Sequence, residues 1–311
     1  MGKETEIEID IAKLFGRATP AKIFLIAIIL SAALIAAFYL TSSGAPEEPP
    51  EVQYPDVTLY ILNDDDCMTC ATGEMLSVLR QIIPGLKEVR IDINSQEGEA
   101  LIAAAQITDV PAYIFDSSIE NSPIFPNLQS YLSDRGNHYV VRALGAKLIN
   151  REEAPNTLEL FVMPTEENAM ALEYTLAEFL NKYDAQVALF FIAFEVEDGL
   201  YSQRGVADIE EGIRQACAAE HEPDLFGYVL CRNDDINGSW EDCARNPGEM
   251  RNCSEGEEGI ILYVENIRFT NELGVMTSPL LLFNQQVIML GNKPYEMIEY
   301  VYCDLNPDQC D

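Results

Sequence analysis

The sequence predicts an α/β chain of two successive strand–helix units, because each half opens on the same pattern. In the first, a β-branched apolar run, Val57 to Leu62, leads into Cys67-Met-Thr-Cys70 and then into residues at helical spacing. In the second, Leu158-Glu-Leu-Phe-Val162 leads into another helical pattern. Each half also places an X-Pro pair, Val110-Pro111 or Ser278-Pro279, directly before a strand-like run.

Ahead of both units, Ile23 to Leu40 is 18 residues without a charge, close to the length that spans a bilayer. Lys13, Arg17 and Lys22 precede it and no Lys or Arg follows until Arg80. The positive-inside rule therefore puts residues 1–22 in the cytoplasm, a transmembrane helix at 23–40, and everything after it outside. A cleaved signal peptide is the alternative, with Ser43-Gly44-Ala45 as the small residues at its end. Residues 41–56, rich in proline and glutamate, read as an extended spacer.

The first unit covers residues 57–150. Met75, Leu76, Leu79, Ile82 and Ile83 predict a helix behind the CxxC, with Cys67 near its N-terminus and Cys70 one turn inside. Free N–H groups and the positive end of the helix stabilise a thiolate there. Pro84-Gly85 ends that helix; a strand at Val89–Ile93, a helix at Gln96–Ala105 and a strand at Ala112–Phe115 follow. Residues 121–136 read as irregular before a strand from His138 to Ala143, and 150–156 as a linker.

The second unit covers residues 157–311. Ala169, Leu172, Leu176, Phe179 and Leu180 mark its first helix. Gln186 to Phe194 is a continuous apolar strand of the kind buried on both faces. A helical, cysteine-bearing insertion occupies 205–255. A helix at Gly259–Leu273, strands at Leu280–Phe283 and Gln286–Leu290, and a helix at Pro294–Tyr302 complete the unit.

This order, with a CxxC behind the first strand and an X-Pro pair before the third, resembles the thioredoxin superfamily. The second half resembles its DsbA-like branch, which carries a helical insertion between the second strand and the following helix. Leu230-Cys231, Trp240-Glu-Asp-Cys243-Ala244 and Cys253 to Gly259 resemble, more loosely, the lysosomal thiol reductase group. The resemblance implies two tandem thioredoxin-like domains, the second with the insertion. It makes Cys67 the nucleophile and Cys70 the resolving thiol. Pro111 becomes a cis proline beside the disulfide, leaving backbone groups free to pair with an extended substrate. Where DsbA-like proteins have Cys-Pro-x-Cys, this chain has Met163-Pro164-Thr165-Glu166, so the second unit carries no exchange chemistry.

Asp64, Asp65 and Asp66 crowd the position where thioredoxins usually carry an apolar residue. Three carboxylates oppose a thiolate at Cys67, which favours the disulfide form and leans the site toward reduction or isomerisation. Six further cysteines suit an oxidising compartment. Cys217, Cys231, Cys243 and Cys253 allow three pairings, and Cys303 with Cys310 clasps the C-terminal tail. Asn237-Gly-Ser239 and Asn252-Cys-Ser254 fit glycosylation acceptors. The formal charge of −33 excludes nucleic acid as a partner.

The expected function is a membrane-anchored extracytoplasmic thiol–disulfide oxidoreductase. It acts on protein or peptide disulfides, needs no dissolved cofactor, and draws electrons from a membrane thiol-redox partner. One alternative is a non-enzymatic scaffold or peptide-binding envelope protein that keeps Cys67–Cys70 as a permanent bridge. The other is a metal-binding module using these cysteines with Asp64 to Asp66.

Overall fold

In a computed structural model, residues 55–197 and 199–310 are described. The expected cytoplasmic segment, the transmembrane helix at 23–40 and all but the last two residues of the spacer lie outside them. Among the described residues no helix is long and apolar enough to cross a membrane.

Strand β1 (Val57–Asn63) buries Val57, Leu59, Ile61 and Leu62 completely. Helix α1 (Gly73–Ile82) lays Leu76 and Leu79 on one face of the sheet that β1 begins, and Gly85, at φ 87°, turns the chain into β2 (Leu86–Asp92). Helix α2 (Gln96–Ala105) is capped by the Ser95 hydroxyl, which accepts from the Gly98 N–H at 3.0 Å, and it packs Leu101 and Ala105 on the opposite face. Then come β3 (Asp109–Val110), β4 (Ala112–Asp116), a short α3 (Phe125–Leu128), β5 (Leu132–Asp134), β6 (His138–Val141) and β7 (Lys147–Leu148). The stretch expected to be irregular thus supplies β5, an edge partner of β6.

The second half runs β8 (Thr157–Val162), α4 (Glu167–Leu180), β9 (Gln186–Phe191) and the hairpin β10 (Phe194–Val196) and β11 (Gly199–Tyr201). Four helices follow: α5 (Val206–His221), α6 (Leu225–Asp234), α7 (Pro247–Ser254) and α8 (Glu257–Glu272). Strands β12 (Leu280–Phe283) and β13 (Val287–Leu290) and helix α9 (Tyr295–Leu305) close the chain. Tyr228, Tyr263, Phe179 and Tyr302 anchor the largest core, around α4 and the insertion.

The apolar run Gln186–Phe194 is not one strand buried on both faces. It breaks after Phe191, and β9 is the last strand of its sheet. Asn266 on α8 covers that edge, accepting from the Phe191 N–H at 2.7 Å and donating to the Leu189 carbonyl at 3.1 Å.

Two mixed sheets result, ordered β2-β1-β4-β6-β5 and β3-β7-β13-β12-β8-β9. The series β2-β1-β4-β6 and β9-β8-β12-β13 match strand for strand: parallel, antiparallel, antiparallel. The Val110-Pro111 and Ser278-Pro279 bonds are both cis and stand at matching places, before β4 and β12. The second sheet does not stop at its own half: β13 pairs with β7, and β7 with β3.

Candidate functional site: the Cys67–Cys70 disulfide

The chain leaves β1 at Asn63 and makes two tight turns before α1. Cys67 N–H donates to the Asp64 carbonyl at 3.1 Å, and Cys70 N–H to the Cys67 carbonyl at 3.3 Å. Helix α1 begins only at Gly73, with Thr72 as its cap residue, so neither cysteine lies inside it. This corrects the expectation that Cys70 sits one helical turn in. β-Branched Thr69 and Thr72, followed by Gly73, are poor residues for a first helical turn, and the apolar periodicity takes hold only from Met75.

Cys67 and Cys70 are bonded to each other. Cys70 is buried and its Sγ lies 3.8 Å from the carbonyl oxygen of Val110, the residue before Pro111. Cys67 is partly exposed, with Thr69 Oγ1 3.6 Å from its Sγ. The structure thus brings together the three residues the sequence singled out: an accessible sulfur, a buried one, and a cis proline directly after the Val110 carbonyl.

The three aspartates are not equivalent. Asp65 and Asp66 are exposed, whereas Asp64 is buried at 3% exposure and accepts from Lys147 Nζ at 2.7 Å. One of the three charges set against a Cys67 thiolate is therefore neutralised by an ion pair. Lys147 lies with Cys67, Val301, Asp304 and Leu305 around a cavity of about 50 Å³, so helix α9 closes one side of the disulfide. On the other side a groove of about 940 Å³ opens, lined by Met68, Met75, Val78, Met289, Met297 and Tyr300. Methionine side chains adapt to varied apolar partners.

Asp109, in β3 just before Val110-Pro111, ties that strand to Gly145. Burial pushes its carboxyl up from the ordinary range, against the hydrogen bonds it accepts from Thr108 Oγ1 at 2.9 Å and the Gly145 N–H at 2.6 Å. Sequence reasoning missed Lys147 and Asp109. The faint signal for the first was a single lysine between Lys87 and Lys182 in a strongly acidic chain.

In the second half, Met163-Pro164-Thr165-Glu166 occupies the place equivalent to the disulfide, at the end of β8. Met163 N–H donates to Ser278 Oγ at 2.9 Å, and the Thr165 N–H and hydroxyl both donate to buried Asp208 at 2.8 Å. These bonds tie down a loop with no thiol. The other six cysteines form three bridges: Cys217–Cys253, Cys231–Cys243 and Cys303–Cys310. His221, Cys253 and Glu258 draw close enough for a shared ion, yet the Cys253 sulfur is spent in its bridge and cannot be a thiolate ligand.

No protein-family model and no curated protein matches the chain. Among solved structures it is similar to a periplasmic thioredoxin-like protein from Salmonella enterica serovar Typhimurium, at 16% identity over 50% of this chain and 91% of that one, with a TM-score of 0.35. It is also similar to the thiol-disulfide exchange protein alpha-DsbA2 from Wolbachia pipientis, at 12% identity, 51% and 88% coverage and a TM-score of 0.37. A putative protein disulfide isomerase from Nitrosomonas europaea is similar at 11% identity, 51% and 100% coverage and a TM-score of 0.38.

Proposed function

We propose that this chain is a thiol–disulfide oxidoreductase acting on protein or peptide disulfides, anchored in a membrane by residues 23–40 with its folded part outside the cytoplasm. It comprises two thioredoxin-like domains, of which only the first is redox-active. The observation that carries this reading is the asymmetry of the Cys67–Cys70 pair, one sulfur reachable and one buried beside the Val110 carbonyl.

In the reduced form, the Cys67 thiolate attacks one sulfur of a substrate disulfide, expelling the other as a thiolate. The resulting mixed disulfide is then attacked at Cys67 Sγ by the Cys70 thiolate. Substrate leaves as a dithiol and the Cys67–Cys70 bond closes, so two electrons pass from protein to substrate. A membrane thiol carrier restores them by the same exchange in reverse. Asp65 and Asp66, exposed beside Cys67, favour the reducing or isomerising direction, less strongly than three free carboxylates would.

The deciding experiment equilibrates the protein in graded thiol–disulfide buffers, with acid trapping and mass spectrometry of each cysteine. Cycling of Cys67 and Cys70 while the other six stay bridged supports the enzyme, and a potential near about −270 mV marks a reductant. A pair that opens only on unfolding leaves the scaffold reading, which α9, closing one side of the disulfide, favours.

A further inference from the structure

Extended polypeptides bind folded proteins by adding a strand to an open sheet edge, so that main-chain hydrogen bonds supply affinity and alternate side chains supply specificity. The edge nearest the disulfide is β3, whose Val110 carbonyl lies 3.8 Å from Cys70 Sγ. That edge is already taken by the chain itself. Ala146 N–H donates to the Val110 carbonyl at 2.6 Å and Ile149 N–H to the Thr108 carbonyl at 2.9 Å, with Val110 opposite Lys147.

The occupant is fitted residue by residue. A Cβ on Gly145 would sit 2.5 Å from the Val110 oxygen and 2.7 Å from its carbonyl carbon and nitrogen, so only glycine permits this approach. Asp109 holds the Gly145 N–H at 2.6 Å. Two residues on, Lys147 reaches past the cavity beside Cys67 to the buried Asp64. From behind, Leu148 N–H donates to the Gln286 carbonyl at 2.8 Å, and the Ala146 carbonyl accepts from Ile288 N–H at 2.7 Å.

We propose that Gly145–Leu148 is a built-in pseudosubstrate, filling the place of an extended polypeptide that carries a glycine and, two residues later, a basic side chain. The proposal rests on the oxidoreductase reading of Cys67 and Cys70. The glycine is required by the contact with Val110. The cation is required because displacing Lys147 leaves Asp64 buried and unpaired, a cost that a neutral or acidic partner cannot offset. A net charge of −33 adds attraction for a basic segment. Catalysis on such a partner begins with release of β7, a strand of two residues.

The test follows formation of a mixed disulfide on the oxidised full chain by mass spectrometry. The probes are 2-mercaptoethanol and single-cysteine peptides that carry Gly-Ala-Lys or Gly-Ala-Glu, with the cysteine on either side of the triplet. Salt is held at about 0.15 M so that long-range steering is screened. In Gly145→Ala, whose methyl has no room against Val110, the rate of the lysine peptide relative to 2-mercaptoethanol is expected to rise about tenfold, equivalent to about 1.4 kcal/mol. The lysine peptide is also expected to outrun the glutamate one. Lys147→Ala, which leaves the glycine contact intact, is the second variant if the first fails to fold.

An unchanged ratio in a folded variant whose Ala146 amide exchanges faster than in the unaltered chain would overturn the proposal, as would equal rates for the two peptides. If 2-mercaptoethanol itself opens the disulfide only on unfolding, the oxidoreductase reading has failed, and the pseudosubstrate falls with it.

Discussion

Lys147 Nζ donates to Asp64 Oδ2 at 2.7 Å across 83 residues of sequence, joining the turn before Cys67 to β7, the strand that lies between β3 and β13 in the second sheet. The carboxylate is almost fully buried and the ammonium about a quarter exposed. Such a pair contributes little beyond its own desolvation cost while both partners are present, but losing one partner strands the other. Lys147→Met is expected to destabilise the protein by about 2 kcal/mol in urea titration. Adding Asp64→Asn should recover at least half of that loss. Strictly additive costs in the double-mutant cycle would show that the pair does not couple.

The two cysteines differ in exposure, as their proposed roles require. Cys67 is partly exposed and Cys70 is 5% exposed, so an incoming disulfide or thiol meets Cys67 first. Cys70→Ser is therefore expected to accumulate a stable mixed disulfide at Cys67 when incubated with a disulfide-bonded peptide. Cys67→Ser should give almost none. Equal trapping by both variants in a mass-spectrometric assay would contradict the assignment.

Much of this site was legible because its parts are short in sequence. The CxxC, the apolar strand before it and the X-Pro pairs each announce themselves within a few residues, and the strands and helices of both halves fall close to where periodicity puts them. What stayed hidden is non-local. The pairing of Val110 with Lys147 depends on a two-residue strand flanked by Gly145, which has no periodicity to read. Helix α1 starts only at Gly73 because Thr69 and Thr72 disfavour a helical turn ahead of the apolar pattern that begins at Met75, and a CxxC by itself does not mark a helix start. The break after Phe191 is not legible because a continuous apolar run does not reveal whether a strand is central or an edge sealed by a side chain such as Asn266.

The bridges of the second half should differ in what they stabilise. Cys217–Cys253 is fully buried and closes a separation of 36 residues, whereas Cys303–Cys310 closes only 7 at the chain's end. By loop-closure entropy the first is worth about 4 kcal/mol and the second about 2.5 kcal/mol. Replacing Cys217 and Cys253 by alanine is expected to lower the urea midpoint more than the same change at Cys303 and Cys310. The reverse order would mean that native-state packing, not chain entropy, sets the ranking.

Glu173 on α4 supplies a pH signature independent of the thiols. Burial pushes its carboxyl up to about 8, the Glu211 carboxylate adds to the rise, and the hydrogen bond from Asn233 Nδ2 at 2.6 Å works against it. Its other oxygen is buried without a hydrogen-bond partner. The folded protein therefore keeps this proton at neutral pH, while the unfolded chain releases it near 4.5. Because the folded state binds the extra proton, stability from this group is complete below about pH 4.5 and is lost as pH rises toward about 8. Glu173→Gln mimics the protonated form in shape. Its stability relative to the unaltered protein is expected to rise steadily between about pH 5 and pH 8, measured as urea midpoints in a pH series. A difference that stays flat across that window would place Glu173 in its ionised form, paired by the surrounding helices rather than neutralised by burial.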